Sequence, residues 1–302
     1  MLNNPVWRDG EIVSGENASV HIMSPSLHYG WGAYEGIRFH RGHRSGKSIF
    51  RARDHVARFR RSNRSLGIDI PFTDDELHEG IMKLVSLADF ESGYIRPISY
   101  LRPGVMSIFA QLGQPSVAVG CWEWTNYLSD AEAGITVRTS SWVRSNPAQI
   151  PTSAKTTGGY INLALARSTA VSSGDHETIL LNDRGRVAEA AAANVFLVQD
   201  GVLITPSVDE GILPGITRNS IITLARAEGY EVVERPVHLA ELSVADEVFL
   251  TGTAMGVNGV RKLDGRTISA DRIGPVTTAL GRAYQAAISG EMYREFEWTD
   301  TI

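Results

Sequence analysis

Cysteine is almost missing from this 302-residue chain. Cys121 is the single one, so no disulfide can form within the molecule. That fits a reducing compartment, and Cys121 itself reads as a small buried hydrophobe. Lysine is nearly as scarce: Lys47, Lys83, Lys155 and Lys262 are the whole set, which shortens the list of amine nucleophiles. The net charge is −5 with no block of like charge, so the basic stripe of a nucleic-acid binder is missing. The nearest candidate, Arg51, Arg53, Arg58, Arg60, Arg61 and Arg64, scatters around several faces at helical spacing and reads mostly as solvated surface. No apolar run approaches the roughly 18 to 20 residues that span a bilayer. The first ten residues lack the basic and then apolar pattern of a signal peptide. We expect a cytoplasmic protein with neither nucleic acid nor membrane as partner. No G-x-G-x-x-G follows a strand and no G-x-x-x-x-G-K-[ST] occurs, so dinucleotide and P-loop readings are weak. The spacing of His28, His55 and His176 fits no zinc pattern, and no metal is expected.

What is present is an ordinary globular composition, 43% hydrophobic and 21% charged, long enough for two modest domains. Asp9-Gly10 marks a hairpin between Val6-Trp7 and residues 11–13. Residues 48–50 read as a strand end and 54–66 as a helix. Thr73-Asp74-Asp75-Glu76 is a capping box opening a helix to Ala88. Residues 93–101 and 116–122 read as strands, the second a continuous apolar run of a buried strand. Further strands are expected over 135–142, 178–181, 195–198 and 247–250. A helix over 217–228 should stop at Gly229, and Pro275 suits the first turn of a closing helix to Ser289. Hairpins mixed with amphipathic helices indicate α+β rather than a doubly wound parallel sheet. The expected division is a small N-terminal α/β domain over 1–125, an inter-domain loop over 126–135, and a large C-terminal domain over 136–302.

Four segments could carry chemistry. Lys155 stands among Thr152, Ser153, Ala154, Thr156, Thr157, Gly158 and Gly159, small uncharged neighbours that let a planar group lie against the backbone. An imine-forming lysine must lose its proton, so its ordinary pKa near 10.4 has to fall, which desolvation achieves. The alternative is a lysine on a mobile loop. Leu213-Pro214-Gly215-Ile216-Thr217-Arg218 opens a helix; free N–H groups of Ile216 and Thr217 would make a phosphate cradle. An ordinary helix start capped by Thr217 is the alternative. Thr251-Gly252-Thr253-Ala254 follows a strand and could add donors, though many turns look alike. Glu189 is a single carboxylate in an alanine-rich run. Buried alone it would be costly or protonated, and a pyridinium nitrogen would be a suitable partner; an exposed loop glutamate is the alternative.

These segments occur together and in order, and with them His28-Tyr29-Gly30, Tyr34-Glu35-Gly36-Ile37-Arg38, Arg58, Tyr94-Ile95-Arg96-Pro97, Ala245-Asp246-Glu247-Val248-Phe249 and Gly274-Pro275-Val276-Thr277. Over nearly its whole length the chain resembles the branched-chain amino acid aminotransferases of pyridoxal-phosphate fold type IV. The resemblance implies the two-domain α+β fold of that class, related to D-amino acid aminotransferase, with pyridoxal 5′-phosphate as cofactor. It implies that Lys155 forms the Schiff base and moves the proton between the substrate α-carbon and the cofactor. It implies that Tyr160 hydrogen-bonds the cofactor's phenolic oxygen, that Glu189 meets the pyridine nitrogen, and that Arg58, Ile216, Thr217 and Thr253 hold the phosphate. Thr253 and Ala254, helped by Tyr94, would meet the substrate α-carboxylate. Tyr29, Tyr34, Gly36, Arg38 and Tyr127 would line the side-chain pocket, some across a dimer interface, and Arg96 would meet the distal carboxylate of glutamate. The partners implied are amino acids, 2-oxo acids and a second copy in a homodimer or larger homo-oligomer.

The chain departs from the family pattern at Asn258-Gly259-Val260, at the four alanines after Glu189, over 104–109, and at the two tryptophans of 122–127. These lie at the expected pocket and loop, so they bear on side-chain preference more than on chemistry. A pocket discriminates by only about 1–3 kcal/mol per methylene, so leucine, isoleucine and valine could all be taken. Rival readings within the fold are a D-amino-acid or R-amine aminotransferase, a specialised secondary-metabolism aminotransferase and an aminodeoxychorismate lyase. A non-catalytic cofactor carrier is disfavoured, because a carrier needs no Glu189.

Overall fold

The computed structural model describes residues 3–104, 106–109, 113–124, 133–268 and 273–302. The chain forms two compact units. The first comprises Met1–Thr125, Ala154–Gly159 and Ala286–Ile302, and the second Asn126–Ser153 and Tyr160–Gln285.

The first unit begins with the expected hairpin, β1 (Pro5–Arg8) and β2 (Glu11–Ser14), turned by Asp9 and Gly10 at positive φ. A short helix α1 (Pro25–Tyr29) precedes β3 (Ile37–Arg41) and β4 (Lys47–Phe50). Helices α2 (Ala52–Ser65) and α3 (Asp74–Ser86) follow, then the long hairpin β5 (Gly93–Leu101) and β6 (Pro115–Glu123). The C-terminal strand Thr299–Thr301 pairs with β4 and closes one edge of a seven-stranded sheet. Trp7, Ile37, Phe39, Ile49 and Ile95 of that sheet pack with Val56 and Phe59 of α2 and Leu77, Ile81 and Leu84 of α3. Cys121 is buried in the same core, and burial pushes its thiol up to about 12. The α3 cap forms as the sequence indicates: Glu76 N donates to Thr73 Oγ1 while Thr73 N donates to Glu76 Oε2.

In the second unit, β7 (Ile135–Thr139) is shorter than the expected strand. It ends where Thr139 bonds Asp264 and Trp142 N turns back to Ser140 Oγ. Helix α4 (Tyr160–Ser172) precedes β8 (Glu177–Leu181), β9 (Val187–Ala190), β10 (Asn194–Gln199) and β11 (Val202–Thr205). Helix α5 (Ile216–Ala227) ends ahead of Gly229 at φ +84. Then come β12 (Val232–Glu234), α6 (Leu239–Val244), β13 (Glu247–Gly252), β14 (Gly256–Leu263), β15 (Arg266–Thr267) and α7 (Pro275–Ser289). The sheet runs β12-β11-β10-β13-β14-β7-β8-β9, with β15 on β14. Inside it, the β10–β13 pair is buried on both faces: Val195, Leu197, Val248 and Leu250 enter the core, and Phe196 stacks on Phe249 at 5.0 Å on the other side. That double burial is why both strands read as unbroken apolar runs.

Candidate active site

Lys155 lies in the short segment that belongs to the first unit, and its backbone is tied down on both sides. Tyr34 N donates to Lys155 O at 3.0 Å, and Lys155 N donates to Ser62 Oγ of α2 at 3.0 Å. Thr157 N donates to Gly32 O at 2.8 Å and Gly158 N to Gly30 O at 3.2 Å. The approach at Gly30 is so close that a Cβ there would fall 2.8 Å from Gly158 Cα, and its φ is +70. The lysine therefore stands on fixed backbone, not on the loose loop that its small neighbours also allowed. Its Nζ lies 4.9 Å from the centroid of the Tyr34 ring.

One turn before Ser62 on α2, Arg58 is buried against Glu35. Nε donates to Oε1 at 2.6 Å and Nη2 to Oε2 at 2.8 Å, and His55 Nδ1 sits 2.8 Å from the same Oε2. Burial alone would raise the Glu35 pKa; the Arg58 charge and the hydrogen bonds from Arg58 and His55 outweigh it and hold the carboxyl well below its ordinary range. Burial likewise lowers the His55 pKa, against the pull of Glu35. The family resemblance assigns Arg58 a role but no protein partner, and assigns no role to Glu35 or His55.

Strand β3 carries Arg38 and β5 carries Tyr94 and Arg96, while Tyr34 and Gly36 stand just ahead of β3. Arg38 pairs with Tyr94 and Tyr94 with Trp122 in register, and Tyr34 bridges to Ile98. A Cβ on Gly36 would collide with Tyr94 Oη, so glycine there makes room for the tyrosine. Arg38 Nη2 donates to Trp124 O at 3.3 Å. The Arg96 guanidinium lies over three rings, at 4.6 Å from Tyr34, 5.2 Å from Tyr94 and 5.7 Å from Trp122. Its Nε is buried without a hydrogen-bond partner among the described residues. Tyr29, on α1, is exposed. Tyr127 lies outside the described residues.

The second unit holds the other candidates. Glu189 is not the exposed loop glutamate of the alternative reading: it sits on β9, 4% exposed. Arg144 Nε donates to its Oε1 at 2.7 Å; Leu213 N and Asn194 Nδ2 donate to its Oε2 at 3.0 and 3.3 Å. Helix α5 starts at Ile216 with Gly215 as N-cap, so Thr217 occupies the first turn and is not the cap. A Cβ on Gly215 would collide with Asn194 Oδ1. Thr253 and Ala254 form the turn after β13. Thr251, at the end of that strand, buries its Oγ1 with no partner among the described residues. Tyr160 opens α4 and packs on Leu163, Ala166, Leu180 and Ala191. Arg144 and Asn194 escape sequence reading: an arginine in a loop and an asparagine at a strand start carry no spacing signal.

Residues 32–263 match the amino-transferase class IV family. The chain belongs to that family. A curated relative, a branched-chain-amino-acid aminotransferase of Pseudomonas aeruginosa, is 39% identical over 299 residues, spanning 98% of this chain and 97% of the relative. The crystal structure of the Escherichia coli branched-chain amino acid aminotransferase superposes with a TM-score of 0.95 at 36% identity, covering 99% of both chains. The branched-chain amino acid aminotransferase of T.th., solved as a complex with N-(5′-phosphopyridoxyl)-L-glutamate, gives 0.94 at 37%, covering 99% of this chain and 98% of that one. The α+β fold and the family expected from the sequence are thereby borne out.

Proposed function

We propose that the chain is a pyridoxal-phosphate-dependent transaminase that moves the amino group of a branched-chain L-amino acid to 2-oxoglutarate in ping-pong fashion. Near-full-length similarity to branched-chain aminotransferases, one of them solved with a phosphopyridoxyl-glutamate adduct, supports the activity and the cofactor. The observation that carries the reading on this chain's own residues is Lys155, fixed by backbone hydrogen bonds in a segment of small uncharged side chains.

The donor set suits a phosphorylated pyridine. Gly215, the N-cap of α5, adds no side chain of its own at a helix start, a place where anions are favoured. The buried, orphaned Thr251 Oγ1 stands two residues before Thr253, and Glu189 is a buried carboxylate beside an arginine. When bound, the cofactor would supply an electron sink for the charge left as the substrate α-proton departs. Lys155 would hold the cofactor through its Nζ and, as a free amine, would serve as the base for the substrate α-proton. Glu189 would face the pyridine nitrogen and favour its protonated form, and Tyr160 would hydrogen-bond the phenolic oxygen. Arg58, Ile216, Thr217 and Thr253 hold the phosphate. Thr253, Ala254 and Tyr94 orient the substrate α-carboxylate. Tyr29, Tyr34, Gly36, Arg38 and Tyr127 exclude water from the substrate side chain, and Arg96 takes the distal carboxylate of glutamate; its aromatic surroundings and buried Nε suit that task.

The reading includes the division at residues 125 and 136, a cytoplasmic location and a homodimer or larger homo-oligomer. The large apolar side chains exposed at Ile22, Met23, Leu27 and Tyr29 support the last. No described helix is long and apolar enough to cross a membrane. A second reading, a relative specialised for an aromatic or unusual amino acid, draws on Trp122 and Trp124 flanking Tyr94 at 5.2 and 5.3 Å. The test is a half-reaction with cofactor-loaded protein. L-leucine and L-glutamate should each release one equivalent of 2-oxo acid and bleach the cofactor's visible band. An aromatic donor outpacing leucine would select the second reading; release only from D-donors, or from none, would overturn both.

A further inference from the structure

We infer that Arg144 is a positioning residue for Glu189, and that this pair together with Asn194 fixes the loop that opens α5. The inference rests on the proposed role of Glu189 toward the cofactor's pyridine nitrogen.

The geometry is a connected set of hydrogen bonds inside the second unit. Arg144 and Glu189 are each 5% exposed at their side chains and meet at 2.7 Å. Arg144 is itself anchored, because its backbone N donates to Leu181 O of β8 at 2.8 Å. On the other carboxylate oxygen, Leu213 N donates at 3.0 Å. Asn194 Nδ2 donates to that same oxygen at 3.3 Å and to Leu213 O at 3.0 Å. The Leu213 residue is therefore held at both its N–H and its carbonyl, one side by the acid and the other by the amide. Two residues on, Gly215 passes so close to Asn194 Oδ1 that no larger residue fits without displacement. The next two residues, Ile216 and Thr217, begin α5.

This arrangement has two consequences. A buried carboxylate without a cation beside it takes up a proton. A protonated Glu189 would become a donor where an acceptor is needed, and the pyridine nitrogen would lose its proton. Arg144 gives the buried Glu189 carboxylate a cationic partner at 2.7 Å. The same carboxylate also sets the path of the chain into the first turn of α5, so loss of Arg144 should disturb the two ends of the cofactor together, through one shared group.

The experiment compares Arg144→Gln, Arg144→Lys, Glu189→Gln and the double variant Arg144→Gln/Glu189→Gln with the wild-type holoenzyme. Three quantities are read: the apparent pKa of the bound cofactor's visible absorbance, cofactor retention on gel filtration, and the melting temperature of the cofactor-free protein. Arg144→Gln should raise the absorbance pKa by about one unit, a tenfold change in the protonation equilibrium, and weaken retention about tenfold. Arg144→Lys should restore part of both. Glu189→Gln should match Arg144→Gln, and the double variant should add nothing to Glu189→Gln, as expected when one residue acts through the other. The double variant leaves no lone buried charge, so it keeps the comparison available if Arg144→Gln fails to fold. A coloured wild type whose Arg144→Gln form keeps the wild-type absorbance pKa and retention overturns the inference. So does full additivity of the two changes. A wild-type protein that takes no colour overturns both the inference and the function beneath it.

Discussion

Glu35 has none of its surface exposed, and burial by itself would raise the pKa of its carboxyl. The Arg58 charge, with hydrogen bonds from Arg58 and His55, reverses that and depresses the pKa well below the ordinary 4.5. The sign of the pH effect follows. A depressed folded-state pKa means that ionised Glu35 contributes stability fully above its unfolded value and loses that contribution as pH falls below it. Glu35→Gln should cost about 3–5 kcal/mol at neutral pH, because it breaks a buried ion pair by removing the carboxylate from Arg58. It should also reduce the loss of stability between neutral and acidic pH, and urea titrations at both pH values measure the two effects. Equal acid sensitivity in variant and wild type would show that Glu35 is not the group being titrated. Single residues are unevenly legible in the sequence. Lys155 and Glu189 stand out because each is a lone charge among small neighbours. The partners that make them usable, Arg144, Asn194 and Ser62, do not, and neither do Glu35 and His55 around Arg58. A hydrogen bond between residues 20 or 45 positions apart leaves no mark on local composition.

Helices with a chemical start or stop are readable: the Thr73 capping box, Gly229 after α5 and Pro275 at the head of α7 all mark real boundaries. Helix α4 is not, because its apolar residues face both ways: Leu163, Ala166 and Ala170 are buried while Ile161, Leu165 and Val171 are exposed, which removes the usual periodicity. Strands β9 and β11 also escape the pattern, each having only four residues, and β14 is hidden by the turn-like Asn258-Gly259 in its middle. Two helix starts should respond differently to one methyl-scale change. Gly215→Ala drives a Cβ into Asn194 and should cost about 1–3 kcal/mol, with weakened cofactor retention. Thr73→Ala removes only a cap and should cost about 1 kcal/mol, with retention unchanged. Thermal melts of cofactor-free protein and gel filtration of the loaded form separate these outcomes; equal retention in both variants would remove α5 from the phosphate.

At the scale of the molecule, the α+β class is legible from hairpins interleaved with amphipathic helices, whereas the strand order is not, because the parallel pair β14–β7 joins Val260 to Ile135, far apart in sequence. The proposed oligomer is testable through Leu27, 59% exposed on α1. Leu27→Asp should convert a dimer, measured by light scattering, into monomer; a wild-type protein already monomeric at micromolar concentration would remove the oligomer from the proposal. The central claim is chemical and concerns one amine. Purified protein loaded with pyridoxal 5′-phosphate is reduced with borohydride, digested and mapped by mass spectrometry. The expected result is one phosphopyridoxyl group per chain, on Lys155. An adduct on Lys47, Lys83 or Lys262 instead, or none at all, would contradict it.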